Sequence, residues 1–324
     1  MKTTVPVFTA LLMATTFFAI TTTNSMFAWM MMELNMLTFI PLVCLQKSNT
    51  EADTSIKYLI PQSFASSLFM VSIIMTTFNP YSNALASTAL LMKAGSVPLH
   101  SWFPVVMHSI NMMAGFILMT WQKIVPLFLL SIPQLSFTPF ILTSAVMSAL
   151  WGSVAGLNQT DIVSLLTFSS IAHLSWLILA SSLSIKALFI YLMSYLLTLL
   201  PILLTMSTSN TKTHKAIMCG ESEKYALIVF LLNISSLAGL PPLAMFSNKI
   251  LIITLMNEML AILALMLIGT AISLYFYMIV IFTAMLNMSK PLKFLHKDTL
   301  SKQLYTLSVV FQLSVFPLML YSLP

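Results

Sequence analysis

The sequence predicts an all-α, polytopic membrane protein of about eleven transmembrane helices, and three observations predict it. Hydrophobic residues make up 59% of the 324, mean hydropathy is +0.97, and charged residues are only 7%. Apolar windows of about 20 residues recur from end to end, each long enough to cross a bilayer. The loop lysines, once those windows are drawn, fall almost entirely on one side.

The windows are 5–24, 26–46, 58–78, 83–103, 109–131, 137–157, 162–182, 185–206, 225–256, 259–286 and 303–322. The first runs on into the second and has few small residues where a cleavage point would sit, so it reads as a span and not as a removable signal peptide. With eleven spans, Lys2, Lys47, Lys57, Lys212, Lys215, Lys224, Lys290, Lys293, Lys297 and Lys302 lie on the side of the N-terminus, and only Lys186 lies on the other. Positive charge is retained on the inside of a membrane. The N-terminus is therefore expected inside and the C-terminus outside, with no separate soluble domain.

Two spans are predicted to be broken. The fourth carries Gly95, Pro98 and Pro104, and the ninth carries Gly239, Pro241 and Pro242 within a stretch too long for one crossing. Proline removes a backbone N–H and clashes with the carbonyl four residues back. The backbone groups it frees are tolerated at membrane depth only inside protein or beside water. The fourth and ninth spans are five helices apart, an odd offset that makes them run in opposite directions. That is the arrangement of an inverted repeat, and the expected organisation is one membrane domain over 1–324: a first five-helix repeat at 1–131, a second at 132–288, and a loop with a final helix at 289–324.

Glu33, Lys93, Lys123 and Lys249 stand inside apolar segments. Each central charge costs about 2.5–3.5 kcal/mol on insertion scales, so four facing lipid would cost about 10 kcal/mol. They are expected to face protein or water, which points to movement of charge through the membrane. A lysine in water holds its proton to a pKa near 10.4 and exchanges it near neutral pH only where desolvation disfavours the ammonium; an opposing carboxylate restores it. Paired and separated states of Glu33 and Lys93 would thus be loaded and unloaded states. Plainer roles fit the same residues. Glu33 could hydrogen-bond a neighbouring helix, and Lys123 could snorkel from an aromatic belt beside Trp121. Lys249 could do the same if the ninth span ended early. His100, seven residues beyond Lys93, and His173, beside Ser169, Ser170 and Ser175, could extend a proton wire or be structural imidazoles.

Other classes of function find little support. The formal charge of +6 comes from 14 lysines and no arginine, spread over short loops and never gathered into a nucleic-acid patch. The two cysteines, Cys44 in an apolar segment and Cys219 in a polar loop, point to neither a disulfide framework nor a metal site or iron–sulfur cluster. The seven glycines form neither a GxGxxG nor a Walker loop. No cofactor is expected in this chain, and no nucleic acid among its partners.

Seven ordered segments carry a resemblance: WMMMELNMLTFIP (29–41), EADTSIKY (51–58), MKAGSVPLHSWFP (92–104), TWQKIVP (120–126), GLNQT (156–160), FSSIAHLSW (168–176) and AGLPPLAMFSNK (238–249). Together they resemble the chain 2 family of mitochondrial NADH:ubiquinone oxidoreductase. The resemblance implies an antiporter-like proton-pumping subunit of respiratory complex I in the mitochondrial inner membrane, with its N-terminus on the matrix side. It implies partners in the neighbouring membrane chains 4L and 4 and in accessory subunits, besides the lipid bilayer, and it places electron transfer elsewhere in the assembly. Carried over residue by residue, it makes Glu33 the acid of the second helix, paired with Lys93 of the first broken helix. Lys123 becomes the central relay, and Lys249 the lysine of the second broken helix that governs exchange toward the exit. The chain departs from the family pattern at Val163 and Ser164, at Met245, Asn248 and Ile250, and at Met278 and Ile279, where basic residues or residues of the second break commonly stand. A stand-alone cation/proton antiporter, which would ordinarily need more buried carboxylates than Glu33, and an inactive structural membrane subunit remain the other two readings.

Overall fold

A computed structural model describes residues 4–45, 49–76, 82–209, 224–256, 259–287, 305–312 and 314. Among them every regular element is helical: α1 (Thr4–Thr21), α2 (Ser25–Val43), α3 (Asn49–Met75), α4 (Ser82–Ala94), α5 (Trp102–Ser109), α6 (Met112–Met119), a 3₁₀ turn (Trp121–Lys123), α7 (Ile124–Leu130), α8 (Thr138–Leu157), α9 (Ile162–Leu183), α10 (Ile185–Ser209), α11 (Lys224–Ala238), α12 (Ala244–Leu255) and α13 (Leu260–Asn287). Residues 305–312 are also helical.

Seven of these segments are long and apolar enough to cross a membrane unaided. The number falls below eleven for local reasons. The fourth and ninth spans are each split into two short helices, α4 with α5 and α11 with α12. The first counts as a shorter apolar helix, Val5–Thr21. The eleventh lies largely outside the described residues, as do Lys2, Lys47, Lys212, Lys215, Lys290, Lys293, Lys297, Lys302 and Cys219.

Both breaks fall where glycine and proline were expected to put them, and both are built alike. Gly95 and Gly239 take φ of +80° and +82°, the left-handed region that glycine alone enters without strain, and a cis X–Pro bond follows two residues later in each (Val97–Pro98, Pro241–Pro242). A third break was not foreseen. The fifth span is interrupted by the 3₁₀ turn Trp121–Lys123. Pro126, in the first turn of α7, cannot donate to the carbonyl four residues back, and its ring crowds that carbonyl. The third helix also differs from its window: α3 starts at Asn49, nine residues early, and takes Glu51 and Lys57 out of the expected loop.

The chain forms two compact units that divide between Ser148 and Ala149, within α8. In the first, α1 packs on α2, α2 and α4 on α3, and α7 on α1 and α4. In the second, α9 is central, with 78% of its spanning window buried, and α10, α12 and α13 pack on it. Here the helices approach closely at small residues, the usual device where lipid tails give no hydrophobic drive to pack. A Cβ on Gly152 would stand 2.8 Å from the backbone nitrogen of Ala172, and one on Gly269 would stand 2.9 Å from the Ala149 carbonyl oxygen. Many serine and threonine hydroxyls inside the spans are satisfied on their own helices, as at Ser169 to Leu166 (2.8 Å), Ser170 to Thr167 (2.7 Å) and Ser175 to Ala172 (2.6 Å).

Two alanine substitutions separate backbone contact from side-chain contact. Gly152→Ala pushes a methyl into the α9 backbone and is expected to cost about 1–3 kcal/mol. Gly115→Ala meets only the flexible Met107 methyl, at 3.0 Å, and should cost much less. The thermal midpoint of the detergent-solubilised protein measures both, and equal shifts would refute the close α8–α9 approach.

Candidate functional site

Lys93 stands in the last turn of α4, 7% exposed. Three carbonyls in the last turn before the break have donors. The Gly95 and Ser96 N–H groups donate to Leu91 O (3.0 and 3.1 Å), Trp102 Nε1 donates to Met92 O (3.2 Å), and Gln62 Nε2 donates to Lys93 O (3.2 Å). This local accounting lets a helix end at membrane depth. The end it creates is the negative pole of α4, so the ammonium sits where the helix dipole favours a cation. Glu33, half-buried on α2, acts electrostatically on that ammonium. Among the described residues the two are not joined by a hydrogen bond or a close ion pair.

Lys123 is 2% exposed, which sets aside a snorkelling side chain. It closes the 3₁₀ turn, and each residue of that turn reaches a different helix. Trp121 Nε1 donates to Thr16 Oγ1 on α1 at 3.2 Å, and Gln122 Nε2 donates to Asn35 Oδ1 on α2 at 3.0 Å. Lys123 Nζ lies 5.1 Å over the centroid of the Phe103 ring on α5. Asn35 is two residues from Glu33, so the helix carrying the acid is tied directly to the turn carrying the lysine. Phe103 also packs edge-on against Trp102 (5.6 Å between centroids), whose indole closes the Lys93 break.

In the second unit, Lys249 is 8% exposed on α12, and its side chain folds back over the end of α11. A Cβ on Gly239 would come within 2.8 Å of Lys249 Nζ. Glycine is thus needed there twice over, for its φ and to admit the ammonium. The α11 terminus is closed by Gly239 N–H to Ser236 O (2.8 Å) and Leu240 N–H to Ser235 O (3.2 Å). As at Lys93, a lysine ammonium lies against the carbonyl end of a half-helix. The departures at Met245 and Asn248 leave this break intact. Asn248 donates to Ser194 Oγ on α10, and Met245 is fully buried beside the same hydroxyl, with Ser194 Oγ 3.4 Å from its sulfur.

His173, 4% exposed on α9, lies between two phenols: Nδ1 is 2.9 Å from Tyr191 Oη and Nε2 is 3.5 Å from Tyr277 Oη. It shares with Lys249 the wall of a small cavity also lined by Trp176, Ser273 and Tyr277. His100 is half-buried in the loop of the first break, with its ring against the Pro98 carbonyl. A further acid is buried that the sequence placed in a loop: Glu51, 3% exposed in the first turn of α3, accepts from Asn111 Nδ2 at 3.0 Å. Asn35, Phe103, Gln122, Tyr191 and Tyr277 were likewise not singled out. For Asn35 and Gln122 the signal was available, since each is an amide in an apolar run beside a charge. Among the described residues no group of three His, Cys, Asp or Glu side chains is placed to hold a metal ion.

Lysines buried at the breaks of interrupted membrane helices, with amide and aromatic side chains around them, define an antiporter-like helical membrane protein. The chain belongs to the NADH:quinone oxidoreductase/Mrp antiporter transmembrane family, which matches residues 22–275. It is 35% identical over 322 residues to NADH-ubiquinone oxidoreductase chain 2 of Anopheles gambiae, covering 94% of this chain and 93% of the relative. To the chain of the same name from Lumbricus terrestris it is 35% identical over 284 residues, 85% and 84% of the two chains. The fold is shared with a chain of respiratory complex I from Thermus thermophilus (TM-score 0.84, 20% identity, 94% of this chain and 76% of that one). It is shared also with a chain of the membrane-bound sulfane sulfur reductase, an archaeal respiratory membrane complex (TM-score 0.83, 17% identity, 95% and 72%). The family implied by the seven sequence segments is the family these comparisons give.

The Asn35–Gln122 bond is testable by a double-mutant cycle. Asn35→Leu or Gln122→Leu alone orphans a buried amide and should cost about 1–3 kcal/mol, whereas the double variant recovers part of that loss because neither amide remains. Additive losses in the thermal midpoint of the solubilised protein would show that the bond is not made.

Proposed function

We propose that this chain is a proton-translocating membrane subunit of respiratory complex I, in the mitochondrial inner membrane, driven by NADH-to-ubiquinone electron transfer carried out in other subunits. One observation carries the reading: the three lysines that lie inside spans, Lys93, Lys123 and Lys249, are all buried at helix breaks, and Glu33 acts on the first of them. Lysines inside a membrane are costly to hold, and where they occur they ordinarily mark a path for ions or protons. The relatives named NADH-ubiquinone oxidoreductase chain 2 and the fold shared with a complex I chain support the same assignment.

In this reading Glu33 sets the occupancy of Lys93, because a carboxylate at short range favours the ammonium and its withdrawal disfavours it. Lys123 relays, with Phe103 holding the charged form and Gln122 fixing the turn. Lys249 governs exchange toward the exit side, and His100 and His173 extend the path. A change of charge at a neighbouring subunit biases these equilibria without any substrate binding here. The matched construction at Gly95 and Gly239 supports the two inverted repeats, 1–131 and 132–288. The remaining assignments are an N-terminus on the matrix side, a C-terminus in the intermembrane space, contacts with chains 4L and 4 and accessory subunits, and no cofactor of the chain's own.

Gentle solubilisation of native membranes, separation by size on a native gel and staining for NADH oxidation test the assembly. The chain, identified by mass spectrometry, should co-migrate with the NADH-oxidising band; migration apart from any dehydrogenase would favour a stand-alone cation/proton antiporter. Lys123→Met should leave that band in place and cut coupled proton output by about tenfold or more. Unchanged pumping would remove Lys123 from the path.

A further inference from the structure

The cavity beside Lys249 contains a buried donor that the proton path does not use. Among the described residues the indole Nε1 of Trp176 has no hydrogen-bond partner, although the residue is only 1% exposed. A buried N–H left alone is unfavourable, and such groups in native proteins are ordinarily met by protein or by ordered water. The cavity that Trp176 lines lets the centre of a water molecule move over about 10 Å³, the room a single water needs. Its other polar walls are His173, Lys249, Thr270, Ser273 and Tyr277, enough partners for a water with two to four hydrogen bonds. Trp176 lies three residues beyond His173 on α9, so both project from one face of that helix.

We propose that this cavity is a water site and that Trp176 is the positioning residue that orients its water between Lys249 and the Tyr277–His173 pair; the proposal rests on the proton-translocation reading above. Indole is a donor only. Its N–H occupies one lone pair of the water and turns both water hydrogens away from the ring, toward acceptors on the other walls. When Lys249 is a neutral amine, one of those hydrogens points at its nitrogen. As the Lys249 N–H bond forms, a water O–H bond breaks. The Tyr277 hydroxyl returns a proton to the water oxygen and is itself refilled from Nε2 of the His173 imidazolium, which ends neutral. Direct exchange from His173 is hindered because both ring nitrogens already face phenols, at 2.9 and 3.5 Å. Without the indole donor the same water could turn a hydrogen toward the ring and a lone pair toward the amine, and the transfer would wait on its rotation.

The test uses the intact complex. A cryo-EM map fine enough to show waters should place one at roughly 2.7–3.2 Å from Trp176 Nε1 and from Lys249 Nζ. Trp176→Phe keeps an aromatic ring and deletes the N–H. It should remove or displace that water, slow coupled proton output about five- to tenfold, the loss expected for one hydrogen bond in a transfer step, and raise the deuterium solvent isotope effect on pumping. A merely structural role would lower the amount of assembled complex and leave the isotope effect unchanged. No water at Nε1, or an indole found donating to a protein oxygen, would overturn the site even if the variant failed to assemble. A water present with normal pumping and an unchanged isotope effect in Trp176→Phe would overturn the positioning role. Lys249→Met separates the underlying reading: if it pumps normally while the water is seen, the proton path fails at Lys249 and the water site stands.

Discussion

A helix that ends inside a membrane must find donors for the carbonyls it leaves open, because hydrocarbon supplies none. At Lys93 those donors are two backbone N–H groups of the glycine turn, an indole and an amide, on Leu91, Met92 and Lys93 respectively. The rest of the arrangement depends on this closure. It draws α3 onto α4 through Gln62, and it brings α5 back onto α4 through Trp102, which in turn places Phe103 where Lys123 meets it. The place of the Lys93 ammonium and the aromatic face that meets the next lysine are therefore both consequences of one break in one helix. Weakening any of these four donors would loosen the geometry of this break.

The same closure explains why lysines sit at these breaks. An unbroken helix at mid-membrane offers a cation no partial charge, whereas its carbonyl end offers about half a negative charge, effective within the last turn. Lys93 occupies that end from within its own half-helix, and Lys249 reaches the end of the preceding one. Both ammonium groups are compensated by peptide dipoles, which are fixed and carry no proton of their own to exchange. The cost of holding a charge falls while its freedom to come and go remains.

Those parts of the structure that depend on neighbours in the chain could be read from the sequence. Gly95 with Pro98 and Gly239 with Pro241 and Pro242 announced their breaks because glycine torsions and proline geometry act within four residues. Span positions followed from apolar runs in the same way, to within a few residues for most helices. Helix α3 escaped because Asn49 to Lys57 is polar sequence that continues a helix beyond the apolar core, where composition gives no warning. The break at Lys123 was only half legible: Pro126 was visible, but the turn is held open by Thr16, Asn35 and Phe103, which lie 20 to 107 residues earlier and which no local pattern links to it. Tyr191 and Tyr277 are of the same kind. Each is an ordinary membrane aromatic in its own segment and becomes a partner of His173 only through packing of α10 and α13 on α9.

The choice among basic side chains follows from what these sites must do. Arginine cannot be deprotonated in a protein, and its five donors demand a matching set of fixed acceptors. Lysine is a single compact charge whose proton can leave when desolvation and a withdrawn carboxylate favour the amine. One contact of Lys123, the Phe103 ring, fits the same need. An aromatic face attracts an ammonium by about 0.5–2 kcal/mol, less than the several kcal/mol of a desolvated carboxylate pair, whose loss would then have to accompany every release. The Phe103 ring thus favours the charged state by a modest amount. The carboxylate nearest in effect is placed on Glu33, where it acts on Lys93 through space and not through a direct hydrogen bond. A lysine met by an aromatic face and a lysine met by a carboxylate through space are both held less firmly than in a direct buried ion pair, which is the condition for a proton to pass along a path and not lodge within it.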